Sequence, residues 1–265
     1  MSVPKRLSYR WKIVVRSKLG ATAKGLGGRI ASERSVAVVP VLNEAQNIRS
    51  LIESIFATGR VGRVLVVDDG STDGTLETLE VVAREYPGLD VEVRRTERGF
   101  GTAVLFGFRE CLRRYEFDRL VQMDGDLSHD PAAIPGMLDM PADLVIGSRY
   151  VRGGRIVNWP LPRRVISIIA NGLARRFLRL PVRDVTSGFR VYSRRLVQTI
   201  VEQANCGGYE MLVEAVWLAN QHGLTLQETP IRFLERRNGR SKLATHAEAA
   251  KFVRFVLRKS VEQFT

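Results

Sequence analysis

The chain has 265 residues, 45% of them hydrophobic and 26% charged, so it can bury a sizeable core as an ordinary globular protein does. Its 41 lysines and arginines outnumber its 28 aspartates and glutamates and give a formal charge of +13, which indicates polyanionic partners such as phosphates, anionic lipid or nucleic acid. The composition argues against a membrane-spanning helix, because no stretch holds the ~18 to 20 consecutive apolar residues that one needs.

Residues 1–34 are predicted to form a basic arm, and residues 35–265 a single domain. Nine basic residues and one acid, Glu33, lie within residues 1–35. The arm lacks the apolar segment and cleavage site of a signal peptide. At roughly 1 kcal/mol per basic residue near an anionic surface, a few of these residues would hold the protein at a membrane. A solvated tail is the alternative.

The two cysteines form no CxxC pair, and the three histidines lack metal-ligand spacing. Neither a disulfide framework nor a zinc site is therefore indicated, and a reducing, cytosolic setting fits.

Short apolar runs alternate with segments of helical periodicity as far as Tyr150. Asp73 and Asp130 are predicted to cap helices. This alternation predicts an α/β fold with a mostly parallel sheet covered on both faces, and ligands that bind beyond the carboxyl ends of its strands. Strands are predicted at residues 35–42, 64–67, 91–95, 120–123 and 143–147, and helices at residues 47–57, 72–85, 101–115 and 131–140.

After Tyr150 the pattern changes to a Gly/Arg-rich loop and a set of longer segments. These are an amphipathic helix at residues 164–180, the stretch 184–192, a helix at 209–221, an extended segment at 226–234 and a closing helix at 246–264.

The helix predicted at residues 164–180 has one apolar face and one polar face. Such a helix either lies in a membrane interface with its cations toward headgroups or packs on the domain core. The closing helix repeats the pattern. The apolar face of the first helix comprises Ile166, Ile169, Leu173, Phe177 and Leu180, and the polar face comprises Ser167, Asn171, Arg175 and Arg179.

Carboxylates follow three of the predicted strands. Asp124 and Asp126 form a DXD motif after residues 120–123, and such a pair can share a divalent cation that takes further oxygens from substrate phosphates. A polar turn is the alternative. A calcium loop is rejected, because His129 and Pro135 stand where that loop needs Gly and Glu.

The second acidic cluster, Asp68 and Asp69 before Gly70, follows the strand at residues 64–67. A glycine turn there would let the carboxylates face the ribose or base of a nucleotide, whereas a plain strand-to-helix turn is the alternative. Because the DXD motif also follows a predicted parallel strand, the nucleotide site is favoured over the plain turn.

Seven motifs in order resemble the dolichol-phosphate (polyprenyl-phosphate) mannose synthases, which are inverting family-2 glycosyltransferases with a GT-A fold. The resemblance implies metal-dependent transfer of mannose from GDP-mannose to a polyprenyl (dolichyl) phosphate, with Mg or Mn as cofactor. The motifs are PVLNEAQNI from Pro40, VVDDGSTDGT from Val66, RGFGTAVLFGF from Arg98, MDGDLSHDP from Met123, GSRYVRGG from Gly147, DVTSGFRVY from Asp184 and FLERRNGRSKL from Phe233.

The resemblance also implies roles for individual residues. Those that would bind the nucleotide sugar are Pro40, Leu42, Glu44, Asp68, Asp69, Asp124, Gly125 and Asp126. Asp124 and Asp126 would bind the metal, with Ser128 as a third candidate ligand. The residues that would act in catalysis on the donor and acceptor phosphates are Asp126, Arg149, Arg163, Ser167, Arg236 and Lys242. A lipid phosphate is ionised at neutral pH, so this set needs to supply positioning and charge screening rather than a strong base.

Two departures from the family pattern limit what is implied. Leu42 replaces an aromatic residue that often precedes Asn-Glu, and Ser128 replaces a longer amide side chain. For any one cation a solvated surface position is the alternative, and Arg152, Arg155, Arg164 and Arg237 are interpreted as surface or headgroup contacts. No membrane helices follow Lys242, so a peripheral protein at the cytoplasmic face of a membrane is expected, with a membrane-anchoring subunit as a further partner.

Two other functions are alternatives to this one. A glucosyltransferase that uses UDP-glucose or another nucleotide sugar would keep the fold, because no motif identifies the hexose. A nucleic-acid-binding protein would need aromatic residues interleaved with its cations, and the arm offers only Tyr9 and Trp11. Nucleic acid is therefore not expected as a partner.

Overall fold

A computed structural model describes residues 34–96, 98–235 and 246–262, with side chains from residue 249 in the last range. The arm before Arg34, together with Arg236, Arg237 and Lys242, lies outside the described residues. The strands are β1 (Ser35–Val41), β2 (Arg63–Asp68), β3 (Leu89–Val93), β4 (Arg119–Gln122), β5 (Leu144–Ser148), β6 (Arg155–Val157), β7 (Arg190–Ser193), β8 (Leu226–Pro230) and β9 (Arg232–Leu234). The helices are α1 (Ile48–Ala57), α2 (Thr75–Glu85), α3 (Phe100–Arg114), α4 (Ile134–Leu138), α5 (Leu161–Leu178), α6 (Arg194–Gln203), α7 (Glu210–Gln221) and α8 (His246–Glu262).

The described residues build a seven-stranded sheet in the order β3-β2-β1-β4-β7-β5-β8. All of its neighbouring strands run parallel except β7, which is antiparallel to both β4 and β5. The prediction of an α/β fold with a mostly parallel sheet is confirmed. Strands β6 and β9 form a separate parallel pair.

Helices cover both faces of the sheet, and successive residues of a strand point to opposite faces, so both sets of side chains are buried. In β1, Val36 and Val38 join a core formed with α3, α6 and α7, whereas Ala37 and Val39 join a second core formed with α1 and α2. This two-sided burial explains why β1 and β2 are continuous apolar runs. It also leaves the strand ends as the polar edge of the sheet.

Several predicted elements differ in the structure. The helix predicted at residues 131–140 is a 3-10 turn at Pro131–Ala133 followed by α4, because Pro135 has no N–H for a continuous helix. Asp73 does not cap α2, whose cap residue is Gly74. The extended segment at residues 226–234 is two strands in different sheets. Strand β7 and helix α6 were not predicted.

Helix α5 faces the protein with the side that carries Asn171, Ala174 and Leu178. Ile166 and Ile169 are exposed, as are Leu173 and Phe177, whereas Asn171 is buried. The alternative in which this apolar face packs on the core is therefore wrong, except for Leu180, which is buried beyond the end of the helix. Within the described ranges, no helix is both long and apolar enough to cross a bilayer.

Candidate active site

The ends of β1 and β2 are joined by hydrogen bonds between the loops that follow them. Asn43 adopts a left-handed conformation with φ of 60°, and its backbone N–H donates to the Ser71 hydroxyl at 2.8 Å. The Glu44 N–H donates to the Thr75 hydroxyl at 2.8 Å, and the Asp69 N–H donates to the Val41 carbonyl at 3.0 Å. These bonds place Leu42 and Glu44 beside the second acidic cluster.

The DXD motif lies against the same strand end through Gly125. A Cβ atom at Gly125 would lie 2.7 Å from the Val41 side chain and 3.5 Å from both the Pro40 carbonyl and the Glu44 side chain. Only a residue without a side chain allows this approach. The predicted donor-binding residues of β1 and β4 are thus neighbours in space.

The two aspartates of the motif have different environments. The Asp126 side chain is buried, and its Oδ1 accepts the Ser128 N–H at 3.0 Å. Leu127, which lies between Asp126 and Ser128 in the chain, has a φ of 59°. This backbone conformation is strained for a non-glycine residue, and such strained residues are found most often at functional sites. The Asp124 side chain is 25% exposed, and its Oδ2 lies 3.9 Å from Nδ1 of the buried His129. The motif therefore presents one fixed and one accessible carboxylate.

Strand β7 brings the loop of residues 184–189 to this edge. Because β7 is antiparallel, its first residue, Arg190, pairs with Gln122 of β4 and Ile146 of β5. Gly188 then lies directly beside Asp124, where a Cβ atom would be 2.8 Å from Asp124 Oδ1. Arg190 is fully buried and fixes the loop by donating to the carbonyls of Val185 and Ser187 at 2.7 Å.

Asp68 is fully buried and bonded within its own turn. Its Oδ1 accepts the N–H groups of Gly70 and Ser71 at 2.8 Å, and its Oδ2 accepts the Ser71 hydroxyl at 2.5 Å. These bonds shape the turn and occupy both carboxylate oxygens of Asp68.

Asp69 is held by a basic side chain and by the start of α3. Its Oδ1 lies 3.2 Å from Arg94 Nε, and its Oδ2 accepts the Gly99 N–H at 2.9 Å. Burial raises the pKa of Asp69 above its ordinary value, and the Gly99 and Arg94 contacts only partly counter it. Arg94 also donates to Thr102 at 2.8 Å, which ties Asp69 to α3.

Arg149 and Asp184 form a buried bidentate ion pair. Arg149 Nε and Nη2 donate to the two oxygens of Asp184 at 2.8 and 2.7 Å. Burial alone would lower the pKa of Arg149, yet the charge and hydrogen bonds of Asp184 leave it raised. Burial alone would raise the pKa of Asp184, and Arg149 leaves it lowered. The guanidinium is therefore charged and rigidly held at this edge of the sheet, in a pair whose net charge is zero.

Aromatic rings lie between Arg149 and two of the residues predicted to bind the acceptor phosphate, Arg163 and Ser167. Its guanidinium lies 5.4 Å from the ring centroids of Tyr150, Trp159 and Phe233. Arg163 lies 5.4 Å from the same Trp159 ring and donates to Glu235 at 2.7 Å.

Ser167 joins this group through Tyr150, whose hydroxyl donates to the Ser167 hydroxyl at 2.8 Å. The structure thus brings Arg149, Arg163 and Ser167 together. Their roles in catalysis stay a prediction.

Asp124, Asp126 and Ser128 are the residues that would bind a metal ion. In the part of the chain that the structure describes, no three His, Cys, Asp or Glu side chains form a ready cluster. The two DXD carboxylates suit a hard ion that takes most of its oxygens from phosphate and water. The Ser128 hydroxyl is buried without a hydrogen-bond partner among the described residues, so Ser128 stays a candidate third ligand.

Sequence reasoning missed several residues that shape this site. Asp184 and Gly188 lie within the motif DVTSGFRVY, so the motif indicated their region but not their roles. Arg94 precedes the RGFG motif and carried no signal. Asn171 was assigned only to the polar face of its helix, and the structure shows that it donates to Thr186 at 3.0 Å and accepts the Val185 N–H at 2.7 Å.

Comparison with known proteins identifies the family of the chain. Residues 36–201 match the family model described as glycosyl transferase family 2. The chain is 37% identical over 218 residues to the polyprenol monophosphomannose synthase of Mycolicibacterium smegmatis, an alignment that covers 80% of this chain and 82% of that protein. It is also 37% identical over 214 residues to the undecaprenyl-phosphate mannosyltransferase of Micrococcus luteus, covering 80% of this chain and 88% of that protein.

A solved structure shares the fold. Glucosyl-3-phosphoglycerate synthase from Mycobacterium tuberculosis, in complex with Mn2+, UDP-glucose and phosphoglyceric acid, matches with a TM-score of 0.65 and 22% identity, covering 87% of this chain and 80% of that chain. At this identity the match shows the fold alone. The predicted GT-A architecture is confirmed.

Proposed function

Because the chain belongs to glycosyl transferase family 2, we propose that it transfers mannose from GDP-mannose to a polyprenyl phosphate at a membrane surface. The observation that carries the proposal is the meeting of two groups at one edge of the sheet. The DXD motif lies beside the loop after β1, and Arg149, a buried arginine at the end of β5, is bonded to the loop whose Gly188 lies beside Asp124. The names of the mannosyl-transferring relatives support the sugar and the acceptor class.

The donor would bind across the ends of β1, β2 and β4. Pro40, Leu42 and Glu44 line this edge with the turn that Asp68 shapes, and Asp69 would face the nucleoside. Asp124 and Asp126 would hold Mg or Mn, which when bound neutralises the diphosphate leaving group. Gly125 lets the motif approach Val41 and Glu44, and Gly188 keeps space beside the Asp124 carboxylate.

The acceptor phosphate would bind near Arg149, Arg163 and Ser167. Arg149 is bonded to Asp184 through Nε and Nη2, so it would offer Nη1 to the phosphate in a fixed orientation rather than as a flexible clamp. Arg163 and Ser167 are less buried, and each could redirect one donor to a phosphate oxygen. Arg236 and Lys242 are proposed to add two further cations.

An ionised phosphate oxygen then attacks the anomeric carbon on the face opposite the leaving diphosphate, and this displacement inverts the configuration. No strong general base is required, because the nucleophile carries no proton to be removed at neutral pH. The residues of the chain act by holding the two phosphate groups in line and by screening their mutual repulsion. The cytoplasmic face of a membrane is the proposed location, and the buried free thiols of Cys111 and Cys206 agree with a reducing compartment.

A donor screen tests this proposal. Thermal unfolding is followed with GDP, GDP-mannose, UDP and UDP-glucose, each with Mn2+ and with EDTA, since a ligand that binds only the native state raises its stability. We expect GDP and GDP-mannose to raise the unfolding temperature in the presence of Mn2+, and we expect EDTA to abolish this increase. Transfer from GDP-[14C]mannose to a short-chain polyprenyl phosphate is then measured. If UDP-glucose is the only nucleotide sugar that stabilises the protein, and if glucose is transferred to the acceptor, the protein is a glucosyltransferase and the proposed donor is wrong.

A further inference from the structure

Exposed apolar surface is concentrated on two helices. Eleven large hydrophobic side chains are exposed among the described residues, and ten of them lie on α5 and α8. The eleventh is Val81 on α2. We call the ten residues the α5–α8 face: Leu161, Val165, Ile166, Ile168, Ile169, Leu173, Phe177, Val253, Leu257 and Val261. Monomeric proteins in water rarely expose apolar residues in such a group, and those that do usually bind a partner there.

The two helices pack against each other, and polar groups fix which sides of them face the protein. In α5 the inward residues include Ser167, bonded to Tyr150, and Asn171, bonded to residues 185 and 186. In α8, Lys259 is buried with its Nζ 3.7 Å from Glu214 and 4.2 Å from the Trp217 ring. Rotating either helix to hide its apolar residues would break these contacts.

Both helices carry a net positive charge. Helix α5 contains four arginines and no acid, and α8 contains four lysines and arginines and two acids, Glu248 and Glu262. An apolar surface bordered by cations is complementary to an anionic bilayer. It is poorly suited to a second copy of the chain, because two such faces would bring like charges together.

We propose that the α5–α8 face binds an anionic lipid bilayer directly, with its apolar side chains in the boundary between headgroups and acyl chains. This inference rests on the proposed function, because a polyprenyl phosphate reaches the site from a membrane. Ser167 and Asn171 on the inner side of α5 join this face to Tyr150 and to residues 185 and 186. Binding would therefore hold Arg149 at a fixed distance from the lipid phosphates.

Vesicle sedimentation of the full-length chain tests the proposal. The vesicles are phosphatidylcholine alone or with phosphatidylglycerol, and the variants are the double substitutions Ile166→Ser/Ile169→Ser and Val253→Ser/Leu257→Ser. The matched control is Val81→Ser, which removes the exposed hydrophobic residue outside the face. We expect at least about a tenfold loss of binding to anionic vesicles in both double variants, because each removes two buried side chains from the bound state. The control should bind as the wild type does.

The outcomes separate this inference from the proposed function. Unchanged vesicle binding in both double variants would overturn the inference. So would a wild-type dimer, seen by light scattering, that the substitutions convert to a monomer, because the face would then be covered by a second copy. Transfer to a short-chain acceptor in detergent-free solution should be retained by all variants. If the wild type shows no transfer to the short-chain acceptor, the proposed function is contradicted. The vesicle-binding result would still decide whether the α5–α8 face binds a bilayer.

Discussion

Gly188 lies so close to Asp124 that a methyl group on Gly188 would be 2.8 Å from the Asp124 Oδ1 atom. Both residues belong to loops that follow or precede central strands, and they are 64 positions apart in the chain. The position of the more accessible DXD carboxylate therefore depends on the absence of a side chain at residue 188.

Gly188→Ala should weaken the metal-dependent reaction. The added methyl group would push the Asp124 carboxylate away, so we expect the Mn2+ concentration for half-maximal transfer to rise at least about tenfold with little change in melting temperature. The control is Gly136→Ala, where a Cβ atom meets nothing within 4 Å. Equal metal dependence in the two variants would show that Asp124 is not a metal ligand.

Asp126→Asn should remove most of the transfer activity and keep the fold. The amide oxygen can still accept the Ser128 N–H, so the turn is preserved while the charge is lost. We expect kcat/KM to fall by about two orders of magnitude or more, with an unchanged circular dichroism spectrum. The control is Asp130→Asn, because Asp130 caps the neighbouring 3-10 turn by accepting the Ala132 N–H at 2.9 Å and asparagine caps equally well. Wild-type activity in Asp126→Asn would contradict the proposed metal site.

Asp184→Asn should destabilise the protein in a pH-dependent way. Removing one partner of a buried ion pair leaves Arg149 uncompensated, at a cost of about 3 to 5 kcal/mol in the free energy of unfolding. The pKa of Asp184 is lowered in the folded state, so its contribution is fully present above its ordinary pKa and is lost as the pH falls through the folded value.

Urea unfolding of the wild type and of Asp184→Asn between pH 7 and pH 3 measures this contribution. The difference in unfolding free energy should be constant near neutrality and should shrink below about pH 4. A difference that stays the same down to the lowest pH would show that the ionised carboxylate is not its source.

Arg163→Ala should affect the acceptor more than the donor. Arg163 and Arg149 each lie 5.4 Å from the centroid of the Trp159 ring, and Arg163 is proposed to bind the acceptor phosphate. We expect the KM for a short-chain polyprenyl phosphate to rise about tenfold or more, while the affinity for GDP changes little. Arg164→Ala, which alters an exposed neighbour, is the control. A larger loss of GDP affinity than of acceptor affinity would reassign Arg163 to the donor.

Removal of residues 2–33 should weaken binding to anionic vesicles in a salt-dependent way. Arg34 is retained because it bonds to Asp118 and thus belongs to the domain. The arm contributes through charge, so its effect should be largest at low ionic strength and small at high salt. The α5–α8 face should preserve part of the binding at high salt. Identical binding at low salt with and without the arm would exclude it as an anchor.

The amino-acid sequence by itself determined the alternation of strands and helices in the first 150 residues. Buried parallel strands are short, continuous apolar runs, and their local composition separates them from amphipathic helices such as α1. The sequence also located the acidic strand ends that the structure places along one edge, since in a parallel sheet carboxyl ends share an edge. Glu44, Asp69 and Asp124 are local signals of this kind.

Tertiary structure alone decided the second half of the site. Strand β7 enters between β4 and β5 in the antiparallel sense, and no local pattern in residues 190–193 specifies its partners. This insertion places Gly188 beside Asp124. It also places Asp184 within hydrogen-bonding distance of Arg149. Likewise, the periodicity of α5 gave two faces but not which one is buried, because that choice depends on partners for Asn171 that lie elsewhere in the chain. Contacts between distant segments depend on packing and long-range hydrogen bonds, whereas sequence periodicity reports only the neighbours along a single element.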